Sequence, residues 1–321
     1  MRLTLPVLAP LLVVLTLPTS SSTRQSPPGF LKFLTEPRVA NIAPRGPELE
    51  ALRDRLRKRI AETPGAEVGL WFEDLGNGDT LGISDTTTFH AASTMKVPVM
   101  IELFRRVDAG ELDLDTRITL TNRFVSIVDG SPYDLAVEDD SDDALYDRVG
   151  APISLRELNE RMIVRSSNLA TNVLIEQLDP VRVTSSARAL GGTGVLVRRG
   201  VEDGPAFRAG LNNVTTARGL GKLLAAIERG EAASAWATAA MRETLLRQEF
   251  NEEIPAGLPP GTRVAHKTGW ITATTHDGAI IYRPGRTPFV LVVLTRAIPD
   301  RAVAQALMAD LARLTWDYAA R

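Results

Sequence analysis

The sequence predicts an α/β plus all-α fold, in which one antiparallel sheet flanked by helices is joined to an inserted helical domain. Strand-like apolar runs occur near both ends of the chain, at residues 68–72, 278–282 and 289–295. The chain between them shows mostly helical spacing of its apolar residues. Strands from the two ends are most simply paired in one sheet, so the central segment is predicted to be an insertion.

The N-terminal part of the folded chain is predicted to contain a helix, a hairpin and a second helix. The first helix follows from apolar residues at helical spacing, which are Leu49, Leu52, Leu56 and Ile60. The Gly-Asn-Gly-Asp segment at 76–79 is a turn that leads from the strand at 68–72 into a second strand. Residues 94–107 are helical in pattern, with Gly110 as the stop and Pro98 tolerated near the helix start.

The middle of the chain is predicted to be mostly helical. Ser154 and Glu157 form a capping-box pattern ahead of one helix. Further helical stretches occupy residues 169–178, 216–227 and 234–246. Beyond them the pattern returns to strands, and a last helix is marked by Val303, Leu307, Leu311 and Leu314.

These elements divide the chain into segments. Residues 1–22 are predicted to be a signal peptide, residues 23–47 a proline-rich linker, residues 48–110 and 247–321 the α/β domain, and residues 111–246 the helical domain.

The first residues have the layout of a secretory signal peptide. A basic start at Met1-Arg2 precedes the apolar run 3–17, and small polar residues follow at 18–22. We therefore expect export to the periplasm or the medium. The competing interpretation is an uncleaved anchor, because no Ala-x-Ala site is present, but the apolar run is short for a membrane span. No stable membrane anchor is expected.

Composition excludes several classes of function. The net charge is -2 and arginines are scattered along the chain, so binding to nucleic acid is not expected. Cysteine is absent, which excludes disulfides and a thiol nucleophile. The histidines His90, His266 and His276 are isolated from one another, so we expect no zinc site, no other metal and no cofactor. A monomer is expected.

Three short motifs contain the residues of a serine nucleophile served by lysines. They are Ser93-Thr94-Met95-Lys96, Ser166-Ser167-Asn168 and Lys267-Thr268-Gly269. Each motif alone is weak evidence for such a site, whereas the combination of all three in this order is specific. Of 37 basic residues only five are lysines, and two of these five lie in the motifs. A lysine, unlike an arginine, can lose its proton and act as a base.

Ser93 is predicted to begin a helix, with Lys96 one turn later on the same face. An unperturbed lysine is almost entirely protonated at pH 7, so Lys96 needs burial or a cationic neighbour such as Lys267 to act as a base. The alternative is that Ser93 is a helix cap and Lys96 a solvated charge. In the second motif, Ser166 can relay protons and Asn168 can hold a substrate amide, or both can simply cap a helix.

The strings FHAASTMK, RSSN and HKTG, in this order, resemble the penicillin-recognising serine enzymes, and among them class A β-lactamases. The resemblance implies a β-lactamase/transpeptidase-like fold and an acyl-enzyme formed without a cofactor. It implies the following roles: Ser93 as nucleophile, Lys96 as its activating partner, Ser166 as proton shuttle, Asn168 as amide ligand, Lys267-Thr268-Gly269 as the carboxylate-binding motif, and the N–H groups of Ser93 and Trp270 as the oxyanion hole.

Three features depart from the class A pattern. Ser167 replaces the usual aspartate of Ser-Asp-Asn. Trp270 stands where small residues are usual, so its indole could crowd the substrate pocket or simply pack at the edge of the cleft. The Glu-x-x-Leu-Asn string that supplies the deacylating glutamate is absent. Glu202 is the best substitute, and its alternative is a solvated charge. The acidic run at 138–143 is interpreted as a solvated face without a metal, with Tyr133 and Tyr146 near the rim of the cleft.

The leading hypothesis is a serine β-lactamase acting on a small β-lactam. A second hypothesis is a D-alanyl-D-alanine peptidase or related penicillin-binding hydrolase that acts on cell-wall peptide and deacylates slowly, which the missing Glu-x-x-Leu-Asn string favours. A third is a catalytically silent domain that binds cell-wall peptide or a partner protein.

Overall fold

The structure is a computed structural model that describes residues 46–321, so the predicted signal peptide and almost all of the predicted linker lie outside the described residues. The helices are α1 (Gly46–Ala61), α2 (Lys96–Asp108), α3 (Leu155–Val164), α4 (Asn168–Leu178), α5 (Pro180–Ala189), α6 (Gly204–Arg208), α7 (Ala217–Arg229), α8 (Ala235–Leu245) and α9 (Arg301–Ala319). Short 3-10 turns occupy Ala92–Met95, Val137–Asp139, Asp143–Arg148 and Pro255–Gly257. Within 46–321, no helix is long and apolar enough to cross a membrane.

The strands are β1 (Glu67–Asp74), β2 (Thr80–Ile83), β3 (Phe89–His90), β4 (Arg117–Thr119), β5 (Phe124–Val125), β6 (Pro132–Tyr133), β7 (Pro152–Ser154), β8 (Val214–Thr215), β9 (Val264–Ile271), β10 (Thr274–Arg283) and β11 (Arg286–Arg296). Five of them form one antiparallel sheet in the order β2-β1-β11-β10-β9. The predicted fold class, with one sheet built from both ends of the chain and flanked by helices, is confirmed.

Both faces of this sheet are covered. Along β11, Val290, Val292 and Leu294 belong to one hydrophobic cluster, and the alternate residues Phe289, Leu291 and Val293 belong to the other. Helix α7 packs on the first face, and α9 packs on the second, together with α1. Because both faces are buried, the edge strand β9 is held rigidly beside the helical part of the molecule.

Helix α2 lies at the centre of the helical part. All of its residues from Lys96 to Phe104 are buried, and it packs against α3, α4, α5 and α8. The prediction placed this helix at 94–107, whereas a 3-10 turn at Ala92–Met95 precedes it. Pro98 is the third residue of α2, where a missing N–H breaks no helical hydrogen bond. A buried helix therefore begins directly after the predicted nucleophile.

Helices α3 and α4 present the second motif. Ser154 caps α3 by accepting a hydrogen bond from the N–H of Glu157, as its capping-box pattern predicted. The chain then leaves α3 after Val164 and enters α4 at Asn168, so Ser166 lies in the short connection. Helix α7, which falls in the predicted helical segment 111–246, packs on the sheet. The division into an α/β domain and a helical domain remains a prediction.

Candidate active site

Ser93 lies in the 3-10 turn that leads into α2, and its side chain is half-buried. The turn is fixed by two hydrogen bonds from its backbone N–H groups. The N–H of Ala91 donates to the carbonyl of Asn213 at 2.9 Å, and the N–H of Ala92 donates to Nδ1 of His90 at 3.0 Å. These contacts hold the nucleophile candidate in one orientation at the floor of a cleft.

Lys96 is fully buried one helical turn after Ser93. Its Nζ donates to the Ser166 carbonyl at 2.5 Å, to Ser166 Oγ at 3.2 Å and to Asn168 Oδ1 at 3.0 Å. Burial lowers the pKa of Lys96 to about 7, against the opposing attraction of Asp140 and Glu202. A large share of this amine is therefore neutral at neutral pH, so burial meets the condition that the sequence analysis set for a base.

Lys267 reaches the same hydroxyl from the sheet. Its Nζ donates to Ser166 Oγ at 3.0 Å and to the Thr268 carbonyl at 2.8 Å, and the side chain is fully buried. Burial, with repulsion from Lys96 as a second cause, lowers the pKa of Lys267 well below its ordinary value. Ser166 Oγ is thus bridged by amines from α2 and β9, which lie far apart in sequence.

Strand β9 approaches the nucleophile turn so closely that only glycine fits at position 269. A Cβ added to Gly269 would lie 2.7 Å from the backbone nitrogen of Ser93 and 2.9 Å from that of Thr94. Beside it, Thr268 Oγ1 is buried and has no hydrogen-bond partner among the described residues. The third motif therefore places one unpaired hydroxyl and one bare backbone segment next to Ser93.

Glu202 joins the site through Asn168. The Asn168 Nδ2 donates to Glu202 Oε1 at 2.8 Å, while its Oδ1 accepts from Lys96. The Glu202 side chain lines the same cleft as Ser93, and burial raises its pKa above the ordinary value. Its hydrogen bond from Asn168 acts in the opposite direction. Glu202 thus lines the cleft while remaining exposed to solvent, and its catalytic role remains a prediction.

Three residues around the cleft have backbone conformations that are rare for non-glycine residues. The φ angles are +44° at Ala92, +59° at Ser166 and +61° at Glu202. Each left-handed non-glycine residue costs about 1–3 kcal/mol and persists only where its surroundings impose the conformation. Such strain is typical of catalytic sites. Here it occurs at the residue before the candidate nucleophile, at the candidate proton shuttle and at the candidate carboxylate.

The cleft has a cavity volume of about 640 Å³. Residues lining it include His90, Ser93, Asn168, Glu202, Phe207 and Trp270. Lys96, Ser166 and Lys267 lie buried next to it. The arrangement places the candidate site residues in or next to one cleft, although within residues 46–321 the hydrogen bonds of Lys96 go to Ser166 and Asn168 and none goes to the Ser93 hydroxyl. Chemically, it offers a hydroxyl nucleophile, an amine of lowered pKa, a hydroxyl between two amines and a carboxylate.

A model of the Beta-lactamase enzyme family matches residues 51–319. The chain belongs to this family. It is 28% identical over 281 residues to a β-lactamase of Streptomyces fradiae, an alignment that covers 86% of this chain and 88% of the relative. A β-lactamase structure from Sphaerobacter thermophilus is 26% identical with a TM-score of 0.71, covering 82% of this chain and 96% of that one. An ancestral class A β-lactamase is 27% identical with a TM-score of 0.71, covering 83% and 99%. The resemblance to class A β-lactamases is confirmed.

The structure shows what surrounds Trp270. Its indole packs edge-on against Phe250, with ring centroids 5.1 Å apart, and lies under the guanidinium of Arg301. The size of this indole predicted that it either crowds the substrate pocket or packs at the edge of the cleft. The structure holds it between two neighbours at the edge of the cleft, where it still lines the cavity.

The acidic run at 138–143 is not simply a solvated face, and that expectation was wrong for two of its residues. Asp140 Oδ2 accepts the backbone N–H groups of Asn168 and Leu169, both at 2.9 Å, and so caps α4. Asp142 is buried and pairs with Arg161 and Arg165. Each carboxylate is drawn inward by unpaired donors of the neighbouring helices. In the part of the chain described here, no cluster of side chains suited to a metal is found.

Neither tyrosine expected near the rim lines this cleft. Tyr146 donates a hydrogen bond to Asp140 at 3.0 Å, behind the helix cap. Tyr133 lines a separate pocket, together with Asn172 and Glu176. Both hydroxyls find partners within the helical part, which draws the rings away from the cleft.

Sequence reasoning missed His90 and Phe207 as cleft residues. Burial, together with repulsion from Arg199, lowers the pKa of His90 to about 4, so its neutral Nδ1 can accept the N–H of Ala92. The only feature of the sequence that could have indicated His90 as a cleft residue is its position three residues before Ser93. Phe207 lies in the short helix α6, and nothing in its local sequence indicated a site.

Proposed function

We propose that the protein hydrolyses β-lactams through an acyl-enzyme formed on Ser93. The observation that carries the proposal is the convergence of Lys96 and Lys267 on Ser166 Oγ, next to the cleft that contains Ser93. A helix cap or a solvated surface charge would require no buried amine, and both amines here are fully buried. Membership of the β-lactamase family supports the same chemistry.

In the first half of the reaction, Ser93 Oγ attacks the lactam carbonyl and its proton passes to the neutral amine of Lys96. The oxyanion that forms accepts hydrogen bonds from the N–H groups of Ser93 and Trp270. When the carbon–nitrogen bond breaks, the leaving nitrogen takes a proton from Ser166. Ser166 regains a proton from Lys96, which holds the proton taken from Ser93 and contacts Ser166 Oγ, so Lys96 is neutral again.

Substrate orientation comes from β9 and α4. Thr268 Oγ1 is buried without a partner among residues 46–321, so a substrate carboxylate would supply the hydrogen bond that it lacks. The same carboxylate would stabilise the protonated form of Lys267, whose pKa burial lowers in the empty site. Asn168 holds the amide of the substrate side chain, at the start of α4.

In the second half, water attacks the ester carbonyl and Glu202 takes its proton. The carbon–oxygen bond to Ser93 then breaks, and the proton that Glu202 took from water passes to Ser93 Oγ, so Glu202 is again a carboxylate and Lys96 remains neutral. Support for this role comes from the position of Glu202 in the cleft and from its raised pKa, which makes the carboxylate a better proton acceptor.

Turnover of a chromogenic cephalosporin by the purified protein tests the proposal. We expect hydrolysis by the wild type and none above background for Ser93→Ala. Ser185 on α5 is an exposed serine, and Ser185→Ala serves as the matched control that should leave the rate unchanged. Equal rates in the wild type and Ser93→Ala would contradict the proposal.

The second candidate function is acylation with slow release, as in a D-alanyl-D-alanine peptidase. One observation favours it: Ala206 occupies the position at which Glu-x-x-Leu-Asn would place the asparagine after Glu202, and its side chain is buried. A β-lactam adduct that persists for hours in intact-mass measurements, without product release, would select this function. Neither adduct nor turnover would favour a silent domain that binds cell-wall peptide.

We further propose that the protein acts as an exported monomer. The support for export is the signal-peptide pattern at residues 1–22, and the absence of cysteine excludes a disulfide-linked dimer. The N-terminal sequence of the mature protein tests export, and its mass in solution tests the monomer. An N-terminus at Met1 in the isolated protein would contradict cleavage.

A further inference from the structure

Trp270 is held in place by contacts on two sides. The guanidinium carbon of Arg301 lies 3.9 Å from the centroid of the indole. Phe250 meets the same indole edge-on, with centroids 5.1 Å apart and planes at 77°. A guanidinium stacked at this distance attracts the face of the ring, and an edge-on phenyl ring supports it from another direction. Together they restrict the indole to one position.

The guanidinium is itself anchored from inside the protein. Arg301 Nη2 donates to Glu253 Oε1 at 3.1 Å, and Gln305 Nε2 donates to the same oxygen at 3.1 Å. Glu253 is fully buried, and burial, with repulsion from Asp277, raises its pKa. Arg301 and Gln305 lie one turn apart on α9, so the sheet-covering helix fixes the charge that contacts Trp270.

The position of Trp270 on its strand tells which part of a substrate it meets. Side chains of a strand alternate between its faces, so Thr268 and Trp270 of β9 lie on the same face. In the proposed function Thr268 binds the carboxylate of the β-lactam. The indole therefore lies beside the ring that carries this carboxylate, and it lines the cleft there.

We propose that Arg301 and Glu253 are positioning residues that hold Trp270 as a fixed wall of the cleft, and that this wall selects β-lactams with a small substituent beside the carboxylate. The proposal rests on the proposed function and adds its substrate preference. Arg301 acts through the indole, since its guanidinium covers the ring face and is tied to a buried carboxylate. A bulky substituent next to the carboxylate would have to displace a ring that cannot move.

Two cephalosporins with the same acyl side chain test the selectivity. They differ only at the carbon next to the carboxylate-bearing carbon, where one has a methyl group and the other has a bulky group. The wild type should favour the methyl compound in kcat/KM by about tenfold or more. Arg301→Gln and Trp270→Ala should each bring this ratio close to one. Arg301→Lys keeps the charge but not the planar stack, so it should give an intermediate ratio.

A double-mutant cycle separates an action through the indole from a direct contact of Arg301 with substrate. In the Trp270→Ala background, Arg301→Gln should leave the ratio unchanged. A further change in this background, or an equal loss on both substrates in the single variant, would overturn the proposal. Arg313→Gln on the exposed face of α9 is the matched control and should retain the wild-type ratio.

Fluorescence reports on the clamp without any turnover. The fluorescence of Trp270 is obtained as the difference between the wild type and Trp270→Phe. Acrylamide should quench this fluorescence several-fold more strongly in Arg301→Gln, because the indole becomes more accessible to the quencher. Unchanged quenching would overturn the clamp even if the protein hydrolyses β-lactams. Failure of both cephalosporins to label Ser93 would instead overturn the proposed function, while increased quenching would still support the clamp. If Arg301→Gln does not fold, Trp270→Ala still tests the wall, because its ratio of kcat/KM for the two cephalosporins should be close to one.

Discussion

Asn168 donates a hydrogen bond from its side-chain amide to the carboxylate of Glu202 at 2.8 Å. Through its amide oxygen the same residue accepts a hydrogen bond from Lys96 at 3.0 Å. The Asn168 side chain therefore links Lys96, the proposed base of acylation, with Glu202, the proposed base of deacylation. This link explains how a glutamate outside the expected Glu-x-x-Leu-Asn string can be oriented in the cleft.

Replacing Glu202 should impair release of the acyl-enzyme more than its formation. In Glu202→Gln the amide cannot take a proton from water, so we expect deacylation to slow by about 10²–10⁴-fold. The adduct should then accumulate on Ser93 and be visible by intact mass. Glu138→Gln, an exposed residue of the acidic run, is the control and should turn over normally. A variant that still releases product at the wild-type rate would exclude Glu202 as the base.

The rate of acylation should rise with pH. Lys96 accepts the Ser93 proton only when it is neutral, and its pKa is lowered to about 7 by burial. The neutral fraction increases as pH rises through this value, so the single-turnover acylation rate should increase between about pH 6 and pH 8 and then level off. Stopped-flow measurement of acylation in Glu202→Gln isolates this step, with the rise displaced to lower pH because the variant lacks the Glu202 charge that raises the pKa of Lys96.

Lys96→Met supplies the control for the pH profile. Its residual acylation should be slow and should lack the rise near pH 7. An identical rise in this variant would assign the titration to another group, and a wild-type rate that falls with pH in this range would contradict the role of the neutral amine.

Adding a methyl group to Gly269 should damage the site without unfolding the protein. The added Cβ would lie 2.7 Å from the backbone nitrogen of Ser93, so Gly269→Ala must push β9 away from the nucleophile turn. We expect kcat/KM to fall by about tenfold or more, because displacement of oxyanion donors weakens transition-state binding. Gly46→Ala, where an added Cβ meets no atom within 4 Å, should have wild-type kcat/KM. Wild-type kinetics in Gly269→Ala would show that the close approach is not required.

Removing the Asp140 carboxylate should destabilise the start of α4. Two backbone N–H groups, of Asn168 and Leu169, lose their acceptor in Asp140→Ala. We expect the free energy of unfolding to fall by about 1–2 kcal/mol, as for loss of a helix cap. Chemical denaturation measures it, with Glu138→Ala as the exposed control. Equal stability of the two variants would contradict the capping role.

The sequence was sufficient to predict the sheet and the main helices, because their apolar patterns agree with their burial. The strand at 289–295, for example, alternates between two hydrophobic clusters, and α7 has its apolar face on the sheet. The convergence of Lys96 with Lys267 was also expected, since the motifs require both amines near one hydroxyl. These predictions rested on local sequence patterns and on the ability of a lysine amine to lose its proton.

Other features depend on contacts between segments distant in sequence, which local patterns do not encode. Asp140 turns inward because α4 offers it two unpaired N–H groups, and Asp142 because Arg161 and Arg165 face it. The position of Trp270 is set by Arg301 on the last helix. None of these partners is a sequence neighbour, so charge alone predicted a solvated face, and size alone left open whether the indole crowds the pocket or packs at its edge.

The central claim is that Ser93 becomes covalently acylated, and intact-mass analysis followed by peptide mapping tests it most directly. The purified Glu202→Gln protein is incubated with a penicillin and compared with a Ser93→Ala protein. We predict a mass increase equal to the whole penicillin, since opening a lactam by addition releases no atoms, and we predict it on the peptide containing Ser93. No adduct, or an adduct that maps to Ser166 and persists in Ser93→Ala, would contradict the account.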